Sequence, residues 1–255
     1  MLVNYRKILI AAVIIAAGCS CVRADDANNP VKFGISADYF GKYIWRGQNL
    51  TNGSVFQPSI SVNAYGFTGS VWGNQDWTSV NDHSGEFTEF DYALDYSSAM
   101  PGLSGVNYSV GVVHYVFPGT LFKPTTEVYG GLSFDLPLTP YIRIYHDVQE
   151  INGSYLQVGL GHTIEKIARF SETCYCGLQL GTSFGYGTDN YNEGYFGVGG
   201  GRFNDWTTSV GLPICLGKWT VKPSINYSMM LDDKIRQATA KSDNLWFGAG
   251  ISRSF

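Results

Sequence analysis

From about residue 31 to the end of the chain, apolar and polar residues alternate with period two in segments of about ten residues separated by turn residues. Period two places alternate side chains on opposite faces of a strand. Between Trp219 and Leu231, Trp219, Val221, Pro223, Ile225, Tyr227, Met229 and Leu231 fall on one face, and Thr220, Lys222, Ser224, Asn226, Ser228 and Met230 on the other. Residues 106–116 set Val106, Tyr108, Val110, Val112, His114 and Val116 against Asn107, Ser109, Gly111, Val113 and Tyr115. In 86–97, Phe90, Tyr92, Leu94 and Tyr96 oppose Glu89, Asp91, Ala93 and Asp95, and 141–149 and 178–186 repeat the pattern. Twelve strands are predicted, near 32–46, 55–65, 67–77, 86–97, 105–117, 125–135, 140–150, 154–165, 175–187, 206–215, 219–230 and 244–255. Connections after even strands are short (Gly66, 136–139, 216–218), with 166–174 the exception. Those after odd strands (78–85, 188–205, 231–243) are mostly longer and more polar.

These features predict an all-β chain forming a closed antiparallel transmembrane β-barrel, with short periplasmic turns, long outer loops and both termini in the periplasm. Lipid cannot satisfy backbone N–H and C=O groups, so the last strand must pair with the first. A soluble sandwich or lipocalin-like barrel also alternates, but it points its apolar face inward and exposes a charged surface. Composition separates the two. Only 15% of the 255 residues are charged, while 15% are aromatic and 31 are Gly. The polar faces carry Gly, Ser, Asn and Tyr rather than many Lys and Glu. Tyr43, Trp45, Trp206, Trp219 and Trp246, toward segment ends, are expected to form aromatic girdles. Pro58, Pro213 and Pro223 fall inside predicted strands and are expected at bulges or strand ends. The mean hydropathy of −0.05 excludes a polytopic helical membrane protein.

Residues 1–24 read as a signal peptide: Arg6 and Lys7, an apolar run from Ile8 to Ala17, then Val22-Arg23-Ala24 as a cleavage site before Asp25. Ala16-Ala17-Gly18-Cys19 offers a competing lipobox reading with Cys19 lipidated. Residues 25–255 then form the barrel domain. Loss of Arg6, Lys7 and Arg23 leaves 14 basic and 21 acidic residues, net −7, which gives no support for nucleic-acid binding, since that wants a basic face. Cys174, Cys176 and Cys215 remain, without the paired CxxC spacing of a zinc site. No metal or other cofactor is expected. A disulfide to Cys215 is weakly supported, because parity puts Cys176 and Cys215 on opposite faces.

Phe255, ending an alternating strand, resembles the assembly signal of bacterial outer-membrane barrels. Tyr43-Ile44-Trp45-Arg46-Gly47, Val71-Trp72-Gly73-Asn74, Glu89-Phe90-Asp91-Tyr92, Glu127-Val128-Tyr129 and Tyr145-His146-Asp147 followed by Gly153-Ser154-Tyr155 make most of the chain similar, in order, to the TorF-family porins. The resemblance implies an outer-membrane, porin-like barrel, with lipid, the barrel-assembly machinery and small solutes as partners. It supplies neither a substrate nor an oligomeric state.

With the polar faces turned inward, the lumen would hold Asp38, Glu89, Asp91, Asp95, Glu127 and Asp147 against Lys42, Arg46, Arg143 and Lys222, with Tyr129, Tyr141 and Tyr145. Six acids against four bases favour cations slightly in a pore whose charged side chains set selectivity. The alternative is a network of ion pairs that fills the interior, since twelve strands lie between a filled eight-stranded barrel and an open sixteen-stranded one. Arg143 and Asp147, about 13 Å apart on one face, would need cross-strand partners. The expected function is passive diffusion of small hydrophilic solutes, the runner-up a non-conducting structural or adhesive barrel acting through its loops. A hydrolase reading rests on His114, His146 and His162 on lipid-facing positions, but no motif marks a nucleophilic Ser, and no catalytic residue is assigned. Gly197 to Gly201 does not join a strand to a helix in a βαβ unit, so it is no phosphate cradle. The surrounding loop is expected to be a flexible outer one, the alternative being a loop folded into the lumen.

Overall fold

The computed structural model describes residues 30–255; the signal peptide, its cleavage site and the lipobox lie outside the described residues. The wall is built from β1 (Val31–Phe40), β4 (Val55–Ala64), β5 (Phe67–Asp76), β6 (Phe87–Ala99), β7 (Val106–Val116), β8 (Thr125–Phe134), β9 (Tyr141–Asp147), β10 (Ser154–Arg169), β11 (Cys174–Gly187), β12 (Arg202–Gly211), β13 (Ile214–Leu216), β14 (Trp219–Met230) and β15 (Asp243–Ser254). β12 and β13 are one strand interrupted at Leu212-Pro213, since both pair with β11 and with β14 in one register. The wall therefore has twelve strands, all antiparallel to their neighbours. It closes where β10 pairs with β11 and where β1 pairs with β15. Phe33 and Phe255 exchange both backbone hydrogen bonds, at 3.2 and 2.8 Å, so the last residue seals the ladder.

The outward face is the apolar one. Val110, Ile144 and Ile225 are each about half exposed, at 51, 50 and 50%, whereas Asp91, Glu127 and Asp147 are buried. That is the arrangement of a barrel in lipid, and among the described residues no helix is long and apolar enough to cross a membrane. Asp38, Gly250 and Lys222 lie in register on β1, β15 and β14. A side chain at Gly250 would collide with the Asp38 carboxylate. Glycine there lets a charged group lie flat against the inner wall.

Several expectations are corrected. The first strand ends at Phe40 rather than near residue 46, because the chain turns into the lumen. There β2 (Tyr43–Trp45) and β3 (Gln48–Thr51) form a separate two-stranded sheet. Tyr43 and Trp45 are accordingly buried and no girdle. Trp246 is also buried, since its parity is opposite to that of the exposed Leu245 and Phe247. The long link after the eighth strand shrinks to 170–173, because β10 and β11 extend past the predicted ends. The prolines sit at interruptions of the ladder rather than at shifts of register. Pro58 lies where the β4–β5 pairing skips two positions, and Leu212 donates to the Pro223 carbonyl across the β12–β13 break. Cys174 and Cys176 are free thiols; Cys215 is disulfide-bonded, but to neither of them.

The loop 188–201 is not a loose outer loop. It carries helix α1 (Asp189–Phe196), which buries Tyr191, Asn192, Tyr195 and Phe196 and ends at Gly197 in the left-handed conformation. A second short helix, α2 (Asp233–Ala238), is capped by Asp232, whose carboxylate accepts from the N–H groups of Lys234 and Ile235. Together with β2–β3, these segments pack at the loop end of the barrel and form its core with the inward aromatic residues of the wall.

Candidate functional site: a lumen closed by the first loop

The β2–β3 hairpin spans the lumen. At its base the Tyr43 hydroxyl donates to Glu89 Oε2 on β6 (3.0 Å), and the Tyr43 ring packs on Trp72 of β5 at 5.8 Å. Thr51 Oγ1 donates to Asp76 Oδ1 (3.2 Å), and Asn49 Nδ2 donates to Asn244 Oδ1 on β15 (2.7 Å). The tip reaches the far wall: a side chain at Gly47 would strike Asp205 of β12 and Met230 of β14. The turn holds Arg46 at φ 43° and Gly47 at φ 80° between the paired Trp45 and Gln48. Two positive φ values define a type I′ turn, which twists with its strands but favours Asn or Gly where Arg46 stands.

Tertiary contacts hold Arg46 in that conformation. Its Nη1 and Nη2 donate to Oε1 and Oε2 of Glu127 at 2.9 and 2.7 Å, a bidentate pair with side chains 3% and 1% exposed. The guanidinium lies 4.5, 4.5 and 4.3 Å from the ring centres of Trp45, Tyr145 and Tyr155. The Tyr115 hydroxyl donates to Glu127 Oε2 (2.9 Å) and orients the carboxylate. Tyr155 in turn donates to Asp205 Oδ1 (2.7 Å). A buried guanidinium–carboxylate pair of this kind is retained because losing one partner strands the other charge.

The structure divides the sequence-predicted lumen residues into two groups. Glu89, Glu127 and Tyr145 meet the hairpin, and Arg46, expected on the first wall strand, is its turn residue. Asp91 is buried on the same face as Glu89, with the two carboxyl groups in direct contact. Asp95 accepts from Tyr129 (2.8 Å) and from Ser97, and Asp147 accepts from Thr125 Oγ1 (2.7 Å) and the N–H groups of Gln149 and Ile151. Arg143 and Asp147 do not pair; Arg143 donates to the Tyr145 hydroxyl at 3.2 Å. Asp38 and Lys222 lie elsewhere, on the half-buried wall with Ser36, Ser59, Ser61 and Ser224. Lys42 sits at the bend entering the first loop, not on the wall. Arg253 stacks on Phe255 at 4.2 Å and Trp219 at 5.4 Å, so its charge covers aromatic rings at the end of the barrel.

Sequence reasoning missed Tyr115, Tyr155, Tyr191 and Asp205 as neighbours of Arg46; parity was the signal available for Tyr115, Tyr155 and Asp205, which lie on inward strand faces, whereas Tyr191 is on α1 and carried no such signal. The outward histidines take up cross-strand hydroxyls. His114 Nδ1 lies 3.0 Å from Thr126 Oγ1, and His146 Nδ1 lies 2.9 Å from Ser154 Oγ. The Ser154–His146 contact has the reach of a nucleophile–base pair, but among the described residues no third group orients the ring, as such chemistry requires.

No family profile and no curated protein sequence matches the chain. Solved structures do. A KdgM porin in complex with disordered oligogalacturonate is 12% identical over 88% of this chain and 99% of its own, with a TM-score of 0.51. A NanC porin is 12% identical over 87% and 98%, with a TM-score of 0.45. At this identity the first likeness speaks for the fold alone. With the apolar outer face and the closed wall, it establishes an outer-membrane β-barrel, located in the bacterial outer membrane.

Proposed function

We propose that the chain is a porin-like channel for passive diffusion of small hydrophilic solutes, shut in this conformation by loop 41–54. The observation that carries the reading is that the closure belongs to a loop and not to the wall. The β2–β3 hairpin forms its own sheet and shares no ladder with the barrel strands. Withdrawing it removes Tyr43, Trp45 and Arg46 from the lumen at the cost of side-chain hydrogen bonds to Glu89, Glu127, Asp76 and Asn244 but without breaking the backbone ladder of the wall. Wall positions away from the hairpin carry small hydroxyl side chains (Ser36, Ser59, Ser61, Ser70, Ser224), which suit a hydrated path. The resemblance to the TorF-family porins agrees with this. The C-terminal strand ending in Phe255 would engage the assembly machinery, and the outer face would engage lipid.

A second reading, a non-conducting structural or adhesive barrel, is favoured by how fully the hairpin and α1 fill the loop end. Single-channel recording in planar bilayers separates them. The chain is compared with a variant in which residues 43–51 are replaced by a short Gly-Ser link. Conductance steps that are rare in the parent and frequent in the variant support the gated pore. Silence in both, with folded protein inserted, leaves the non-conducting barrel.

A further inference from the structure

Arg46 is held as a receptor holds a guanidinium ligand: two charge-assisted hydrogen bonds accepted by one carboxylate, and aromatic faces against the planar cation. Three of the groups that do this, Glu127, Tyr145 and Tyr155, belong to wall strands β8, β9 and β10 and stay in place whatever the first loop does. The Tyr115 hydroxyl, also on the wall, keeps Glu127 oriented.

The hairpin that supplies Arg46 is a poorly satisfied occupant. Its turn puts a non-glycine residue at φ 43°. Trp45 Nε1 and Gln48 Nε2 are buried without a hydrogen-bond partner, each at a desolvation cost. If the hairpin leaves, Glu127 keeps the Tyr115 hydroxyl but loses its cationic partner, and its carboxylate faces the lumen for another cation to pair with. The cage is wrong for a hard metal ion, which takes six or more oxygen ligands. It suits a planar, weakly hydrated cation that can stack on tyrosine.

We infer that the Arg46 pocket is a binding site for guanidinium-type organic cations, occupied in the closed barrel by the chain's own Arg46, and that such solutes displace the hairpin. The inference rests on the reading of the first loop as a removable closure, and it names the solute class that would open it.

The test uses methylguanidinium as the probe and isothermal titration of the purified barrel in detergent. Arg46→Gly empties the cage and places Gly-Gly in a type I′ turn, where glycine is favoured. The expected result is binding by Arg46→Gly. It should weaken at least about tenfold when Glu127→Gln is added, the factor a charged hydrogen bond carries. Arg46→Lys, which refills the cage with a cation, should not bind. A folded Arg46→Gly barrel that ignores the probe, or that binds it equally well with Glu127→Gln, overturns the inference. A second measurement needs no variant. In the parent protein, methylguanidinium should speed trypsin cleavage after Arg46 and sodium chloride of equal ionic strength should not; equal rates overturn the inference. The channel reading is judged separately. Binding with a silent loop-deleted barrel sinks the pore and leaves the site, whereas conductance without binding does the reverse.

Discussion

Glu127→Gln tests the physical basis of the closure most directly. The change keeps the side-chain volume and removes the charge that holds Arg46. Both partners are almost wholly buried, so the variant leaves a buried guanidinium facing a neutral amide. Breaking such a pair by removing one partner costs roughly 3–5 kcal/mol. The remaining contacts with Tyr145 and Tyr155, at about 0.5–2 kcal/mol each, persist in the parent and the variant and do not restore the loss. The least costly relief is for the hairpin to leave the lumen and hydrate Arg46, because it shares no ladder with the wall. Taking about 3 kcal/mol as the shift, the open population rises more than about a hundredfold. Trypsin reads that population, since cleavage after Arg46 needs the residue outside the barrel and tracks the open form when opening is fast. The expected outcome is cleavage between Arg46 and Gly47 at least about a hundredfold faster than in the parent, with the barrel still resistant to heat in detergent. A Glu127→Gln protein as protease-resistant as its parent would refute the argument that this ion pair is what keeps the lumen shut.

Three further outcomes are expected. In the barrel with 43–51 replaced, Asp38→Asn should move the reversal potential in a salt gradient toward anion preference, because Asp38 lies on the half-buried wall beside Lys222; an unchanged potential would put the solute path elsewhere. Asp232 has its carboxyl held below the ordinary carboxylate range: partial desolvation opposes this, but the hydrogen bonds from Arg202 and from the N–H groups of Ile235 and Lys234 outweigh it. A lowered folded-state value means that the contribution of Asp232 to α2 is present above the unfolded carboxylate range near pH 4 and is lost as pH falls through the lower folded value. Hydrogen exchange of the Ile235 amide should therefore be constant from pH 7 to 5, after correction for intrinsic rates, and deprotected only in stronger acid. Asp232→Ala should deprotect it by about 0.5–2 kcal/mol from pH 7 to 5, the difference closing in stronger acid, and the same protection in both proteins at pH 7 would remove the cap from the account. Deleting Phe255 takes away the two backbone hydrogen bonds with Phe33 that finish the closure between β1 and β15. The yield of heat-resistant barrel in the outer membrane should fall several-fold while the conductance of what assembles stays the same, and an undiminished yield would argue against a role in assembly.

What the sequence determined by itself was the wall. Period two is a local property, and it assigned Asp91, Glu127, Asp147 and Tyr145 to the inside and Val110, Ile144 and Ile225 to the outside without knowledge of any partner strand. Closure followed as well, because lipid leaves no other way to satisfy a strand edge. The filling of the wall was decided by tertiary structure. Tyr43 and Trp45 alternate as a strand would, and nothing local distinguishes a strand that continues through the membrane from a hairpin that bends into the lumen. The positive φ at Arg46 is held by Glu127, Tyr145 and Tyr155, which lie about 80 to 110 residues further along the chain. A contact of that kind exists only once the barrel has closed and brought β8, β9 and β10 around the point where the first loop arrives. Trp246 is the converse: an aromatic residue near a strand end looked like a girdle, but its parity against Leu245 and Phe247, legible in the sequence, already turned it to the interior, and tertiary structure decided only that the loops cover it.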